Sequence, residues 1–467
     1  MKGTAMPEQK ILLRNIYHLV SGANAARQRG VDLLVEGPQI AAVGKDLAAP
    51  GARVIDASTK LVMPGLVNTH HHMYQTLQRN VPAVQNAKLF DWLIALYEIW
   101  RHLGPDAIRV STTLACAELL KTGCTTTADH HYVFPEGVTQ DLIGLQFEAA
   151  ARLGMRFCAT RGSMSRGKRE GGLPPDSVVQ DEETILRSSE ELIVAHHDAR
   201  PFSMKHLALA PCSPFSVSDG AMRDAAALAR KHGVKLHTHL AETKDEEAFC
   251  LETHGCRPLG LMERYGWLGE DVWYAHGVHF DDAELRLLAS TKTGVAHCPT
   301  SNMRLGSGIA RVPEMRALGV PVGLAVDGSA SNDSSDMLGE LRSCLMLHRV
   351  LGGAGAITAE QVLELGTVGG ARLLGWPEVG TLEPGKAADI ALVEMDRLDY
   401  AGALSDPLAA VIFSGCSHEV HTVIVNGKVV VEEGRVLGVD ERALRHEANR
   451  IARQMLERAG HDTRWMM

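Results

Sequence analysis

Three histidines stand in a row at His70, His71 and His72, separated by two residues from the apolar run "LVMPGLV" at residues 61–67. Residues two apart on an extended strand share a face. His70 and His72 therefore present two imidazoles to one ion, the side chains and spacing a metal site uses. His71 points the other way and is expected to be packed or hydrogen-bonded. The run "HTHLAE", residues 237–242, brings a third ligand, His239, and a proton-carrying carboxylate, Glu242. "YAHGVH" places His276 at the end of another apolar run. In "LAVDGSASND" the first acid after the apolar run is Asp327. A carboxylate in such a setting needs a charge partner, and a metal cation supplies one.

These residues do chemistry only if the chain brings several strand ends together. The middle of the sequence alternates apolar strand-like runs with helical stretches. The runs are "LVNTH", "TTTADHH", "RFCATRG", "LALAPC", "VKLHTHLAE", "VWYAHGVH", "GVAHCP" and "PVGLAVDGSA". Such alternation predicts an α/β fold, a (β/α)8 TIM-type barrel whose active site lies at the C-terminal strand ends. An open doubly wound sheet is the other arrangement, and the missing GxGxxG after the first strand disfavours it. The first 64 residues and the C-terminal region read as short strands, with "NGK" at Asn426–Lys428 as a hairpin signal. Residues 1–64 and 375–467 are thus expected to form one small β-sandwich domain, discontinuous in sequence, around a barrel at residues 65–374. The stretch Pro82–Pro105 is either a helix over the barrel mouth or a plain packing helix.

Composition narrows the function classes. The net charge is −9 and no Lys/Arg-rich block occurs, which disfavours nucleic acid as a partner. No apolar run reaches the roughly 18 residues that span a bilayer. The stretch "MKGTAMPEQKILLRN" lacks a signal peptide's apolar core. A cytoplasmic protein without a membrane partner is the expectation. Nine cysteines without a CxxC pair are expected to be reduced, buried thiols.

The chain resembles the amidohydrolase superfamily, in its cytosine/guanine deaminase and triazine hydrolase branch. The resemblance rests on "PGLVNTHHH", "HTHLAET", "AHGVH", "HCPTSNMRLGSG" and "VDGSASND" at the ends of strands 1, 5, 6, 7 and 8, and on "VGTLEPGKAADIAL" and "VIVNGKVVV" in the returning segment. It covers nearly the whole chain. It implies that His70, His72, His239 and Asp327 are metal ligands and that Glu242, His276 and Asp327 are catalytic. Two-metal members carry a modified lysine at the end of strand 4; here "LALAPCSPF" offers none, and Lys205 lies at the other end. One Zn2+ per subunit is implied, and Fe2+ also fits three imidazoles and a carboxylate. The implied reaction is hydrolytic deamination of an amino-oxo heterocycle in a homo-oligomeric enzyme. Metal-free relatives that serve as scaffolds have lost ligands that this chain keeps.

Within that branch, "THHHMYQTLQRNVPAVQNAKLFDWL", "TTTADHHYVFP" and "RGSMSRGKREGGLPPDSVVQDEE" are most similar to bacterial 8-oxoguanine deaminases. These convert 8-oxoguanine to urate and also accept isocytosine. Pterin and isoxanthopterin deaminases, triazine hydrolases and adenosyl-homocysteine-type deaminases are the alternatives. Candidate ring-reading residues are Gln75, Trp92, Tyr132 and Arg161. An amide pairs with a ring's donor–acceptor edge, and an arginine donates to oxo groups.

Overall fold

A computed structural model of the chain describes residues 10–22, 27–414 and 419–466. Its centre is a sheet of eight strands in sequential order: β1 Leu66–Asn68, β2 Cys124–Asp129, β3 Arg156–Ser163, β4 Lys205–Pro211, β5 Leu236–Leu240, β6 Val272–His276, β7 Gly294–His297 and β8 Val322–Leu324. Each neighbouring pair is parallel. The ring closes where the Thr69 N–H donates to the Leu324 carbonyl and the Asp327 N–H donates to the His70 carbonyl, both at 3.1 Å. Closure therefore sets His70 beside Asp327, residues far apart in sequence. The fold is the (β/α)8 barrel that the alternation predicts.

The barrel interior is narrow, and small side chains fill it. Ala128, Cys158, Ala208, Ala296 and Ala325 form one buried cluster with Val67 and Trp273. Helices cover the outside, and their ends are written locally. The helix Asp219–His232 begins where Ser218 accepts from the Ala221 N–H and stops at Gly233, whose φ of 67° suits glycine.

Two further sheets draw on both ends of the chain. One contains Lys10–Ile16, Val31–Glu36, Gln39–Gly44 and Arg53–Asp56; the other pairs Lys60–Pro64 with Ile390–Glu394 and continues through Thr422–Val425 and Lys428–Glu432. Side chains of both meet in one core that includes Ile11, Leu33, Val62 and Ile390. The hairpin turns at Asn426 and Gly427, with φ of 48° and 77°, as its sequence predicts. A buried bidentate pair, Arg156 with Asp389 at 3.0 Å, ties the base of β3 to the second sheet. The helix Glu441–Arg458, within the span assigned by sequence to the small β domain, packs instead on the barrel helix Pro105–Lys121.

No helix among the described residues is long and apolar enough to cross a membrane. The eight described cysteines are free thiols; Cys416 lies outside the described residues.

Candidate metal centre and active site

Four side chains converge at the C-terminal mouth of the barrel. His72 Nε2 lies 3.0 Å from His239 Nε2. Asp327 Oδ1 lies 3.2 Å from His70 Nε2 and 3.4 Å from His72 Nε2. Donors on one tetrahedral ion with bonds of ~2.0–2.1 Å sit about 3.3 Å apart, so the spacing fits a shared cation. His70 Nε2 is buried and has no hydrogen-bond partner among the described residues, which suits a lone pair reserved for metal. Burial holds His70, His72 and His239 below the usual histidine range. They are therefore neutral and able to ligate.

The outer nitrogens are anchored, and this fixes the tautomers. His72 Nδ1 donates to the His130 carbonyl at 2.7 Å, and His239 Nδ1 donates to the Cys212 carbonyl at 2.6 Å. His70 Nδ1 lies 2.7 Å from His237 Nε2, and His237 Nδ1 lies 2.9 Å from the Trp273 carbonyl. A carbonyl only accepts, so neutral His237 carries its proton on Nδ1 and receives one from His70. Each of the three rings thus turns Nε2 toward the centre.

Asp327 is held in place from several directions. Its Oδ2 accepts from Ser301 Oγ at 2.5 Å and Ser331 Oγ at 3.1 Å, and its Oδ1 accepts from the Gly328 N–H at 2.7 Å. Burial pushes its carboxyl up, but the neighbouring imidazoles, His70 foremost, outweigh this and hold it well below the usual range. His276 Nε2 faces Glu242 Oε2 at 3.6 Å and Asp327 Oδ2 at 4.0 Å, and its Nδ1 bonds Asn302 Oδ1 at 2.9 Å. Burial lowers His276, yet the two carboxylates and Asn302 outweigh it and raise the ring above its usual value. Burial raises Glu242. His276 and Asp327 adopt φ of 73° and 64°, a left-handed backbone that costs a non-glycine residue energy.

A cavity opens on this centre. Its wall includes His72, His239, Glu242, His276 and Asp327, together with Gln75, Trp92 and Tyr132. The helix Leu89–Trp100 supplies Leu89, Trp92 and Leu93, so the Pro82–Pro105 stretch does lie over the mouth. Gln75 fits because residue 328 is glycine; a Cβ there would stand 1.9 Å from Gln75 Oε1. His71 turns away as expected, its Nε2 3.0 Å from Ser335 Oγ.

Arg161 is the exception. It does not line the cavity. Alternation along β3 turns Cys158 into the barrel and Arg161 outward. Its guanidinium donates to Ser188 Oγ, to Gln180 Oε1 and to the Gly162 carbonyl, and it stacks over Phe134 at 4.1 Å. Lys205 is the first residue of β4, at the end of the strand opposite the centre. His237, His130, Ser301, Ser331 and Asn302 also serve the site, and none of them is among the site residues expected from sequence. For His237 the signal was present: it lies two residues before His239 on the same strand face.

Barrel, strand-end imidazoles and a serine-held aspartate together define a metal-dependent hydrolase. Residues 61–430 match the amidohydrolase family, and the chain belongs to it. It is 49% identical to the 8-oxoguanine deaminase of Pseudomonas aeruginosa over 412 residues, 88% of this chain and 91% of that protein. It is 37% identical to an isoxanthopterin deaminase from an unknown prokaryotic organism, covering 95% and 97% of the two chains. Among solved structures, the zinc complex of atrazine chlorohydrolase from Arthrobacter aurescens TC1 superposes with a TM-score of 0.91 at 33% identity, covering 95% of this chain and all of that one.

Proposed function

We propose that this enzyme is a zinc-dependent aminohydrolase that converts 8-oxoguanine and water to urate and ammonia, with isocytosine as a smaller substrate. His70, His72, His239 and Asp327 would hold one Zn2+ per subunit, and Fe2+ suits the same donors. When bound, the ion supplies water that is nucleophilic at neutral pH. Asp327 takes the proton from that water. His276, facing Glu242 and Asp327, orients the nucleophile and stabilises the oxygen that becomes the new oxo group. Glu242 delivers a proton to the ring nitrogen beside the attacked carbon. Glu242 next takes the hydroxyl proton of the tetrahedral carbon and passes it to the amine, which leaves as ammonia when the carbon–nitrogen bond breaks; the proton held by Asp327 then restores the Glu242 acid. Zinc base deaminases on another fold give a non-ligand glutamate the same work.

The observation that carries the reaction class is Glu242, a buried carboxyl 3.6 Å from His276 Nε2 on the cavity wall. The 49% identity to an 8-oxoguanine deaminase supports the substrate. Two wall residues leave buried donors unpaired among the described residues, Gln75 Nε2 and Trp92 Nε1. Both are suited to oxo groups or ring nitrogens of a purine. Tyr132, edge-on to His72 at 5.2 Å, supplies a flat wall.

The test is ammonia release by the zinc-loaded protein on 8-oxoguanine, isocytosine, guanine, isoxanthopterin, pterin and hydroxyatrazine. Fast turnover of 8-oxoguanine with little on the pterins is expected. Turnover of the pterins alone would assign the substrate to the isoxanthopterin branch. Glu242→Gln is expected to keep the metal and lose ~10²–10⁴ of the rate; near wild-type kcat would remove Glu242 from its role.

A further inference from the structure

A second cluster of metal-ligand side chains lies one layer outside the catalytic centre. His297 is the last residue of β7. Its neighbours Ala296 and Cys298 belong to the barrel interior, so alternation turns His297 outward. The helix Met337–Gly352 covers it there. Cys344 and His348 stand four residues apart on that helix and share one face. All three side chains are buried. His297 Nε2 and His348 Nε2 lie 3.2 Å apart, with ring centroids at 5.1 Å. A nitrogen of each ring and Cys344 Sγ all fall within 4.8 Å of one another.

A hydrogen bond between the two imidazoles uses one N–H and one lone pair. It leaves the thiol outside the interaction. Nδ1 of both rings is buried without a partner among the described residues, so the protein itself supplies little to this pocket of polar groups. The Nε2 separation fits the edge of about 3.3 Å expected for two imidazoles on one tetrahedral ion. It also matches the His72–His239 contact of 3.0 Å in the catalytic centre. Burial keeps both rings neutral, His297 well below the usual range and His348 at about 4.

We propose that His297, Cys344 and His348 form a second, structural site for a thiophilic divalent ion, zinc being the ion this sulfur–nitrogen set suits. On binding, the Cys344 thiol releases its proton to solvent and ligates as thiolate, while both imidazoles bind neutral. The ion pins the helix Met337–Gly352 to the end of β7. The helix that follows β7, Pro299–Leu305, carries Ser301 and Asn302, which hold Asp327 and His276. The second ion therefore braces the catalytic scaffold without touching substrate. The inference does not depend on which heterocycle the enzyme accepts.

Cobalt separates the two sites, because the catalytic donors include no sulfur. The full-length protein is stripped with a chelator under reducing conditions, then loaded with Co2+ alone. Two metals per chain and a near-ultraviolet thiolate-to-cobalt charge-transfer band are expected. Cys344→Ser should lose the band and one metal equivalent while keeping turnover in the wild-type range. One metal per chain with no band in the wild type would overturn the proposal. So would a band that survives in Cys344→Ser. Should that variant fail to fold, the wild-type spectrum and stoichiometry decide alone.

Discussion

Two buried histidine clusters sit on opposite faces of the barrel wall, and they are built differently. In the inner one, every ligand ring is anchored through its outer nitrogen, to His237, to the His130 carbonyl and to the Cys212 carbonyl. In the outer one, Nδ1 of His297 and of His348 has no partner among the described residues. The inner rings are therefore aimed before any ion arrives, and little ordering remains to oppose binding. The outer rings face each other through Nε2 at 3.2 Å, so an ion there would have to replace that hydrogen bond. A centre that does chemistry needs its ligands preorganised, whereas a bracing ion does not.

The largest effect expected from breaking this contrast is loss of an inner ligand. His72→Ala removes one of the four donors proposed to hold the catalytic ion. The ion's contribution is several kcal/mol, so turnover should fall on the order of 10³-fold or more. Dialysis should strip the inner metal while the cobalt–thiolate band of the outer site persists. Joint loss of both signals would show one coupled site where two are described.

The next effect tests anchoring alone. His237 accepts the His70 proton and stacks on Trp273, centroids 4.4 Å apart. His237→Phe keeps the stack and removes the acceptor. Metal affinity, read by chelator competition, should fall ~10–100-fold, as for other partners of metal-bound histidines. The kcat of the fully loaded variant should change less. Unchanged affinity would mean that anchoring contributes nothing and that the contrast between the clusters has no energetic content.

Much of the inner centre is legible because strands have a period of two. That rule picks out His70 and His72 and excludes His71. Applied as strictly, it also finds His237 beside His239, and it rejects Arg161, which shares its face of β3 with Phe157 rather than with the interior Cys158. Arg161 reads as a site residue only because it lies near a strand's C-terminal end. The terminal sheets are legible through local turn chemistry such as Asn426–Gly427. What local pattern does not carry is pairing between distant elements. No feature of Glu441–Arg458 announces that it packs on Pro105–Lys121, and none of "HCP" that His297 meets a helix some fifty residues on.

The smallest effect separates two buried carboxyls. Asp327, among imidazoles, is held well below its usual range. Glu340 stands one turn before Cys344 on the outer helix; burial outweighs its hydrogen bonds with Thr300 and Asn332 and raises it to about 8 from 4.5. Between those values the folded chain keeps a proton that the unfolded chain has released. The contribution is thus fully present below pH 4.5 and is lost as pH rises toward 8. Glu340→Gln should flatten that decline. The gain over wild type at pH 8 relative to pH 5 should be on the order of 1 kcal/mol, below what the full shift implies, because the pocket relaxes and admits water once Glu340 ionises. In Tm this is roughly 1–2 °C for a chain of this size. A cation at the outer site would favour the ionised Glu340 one turn away, so zinc loading should shrink the wild-type slope. A slope that is the same with and without zinc would place no charge beside Glu340 and would argue against the outer ion on grounds independent of the cobalt spectrum.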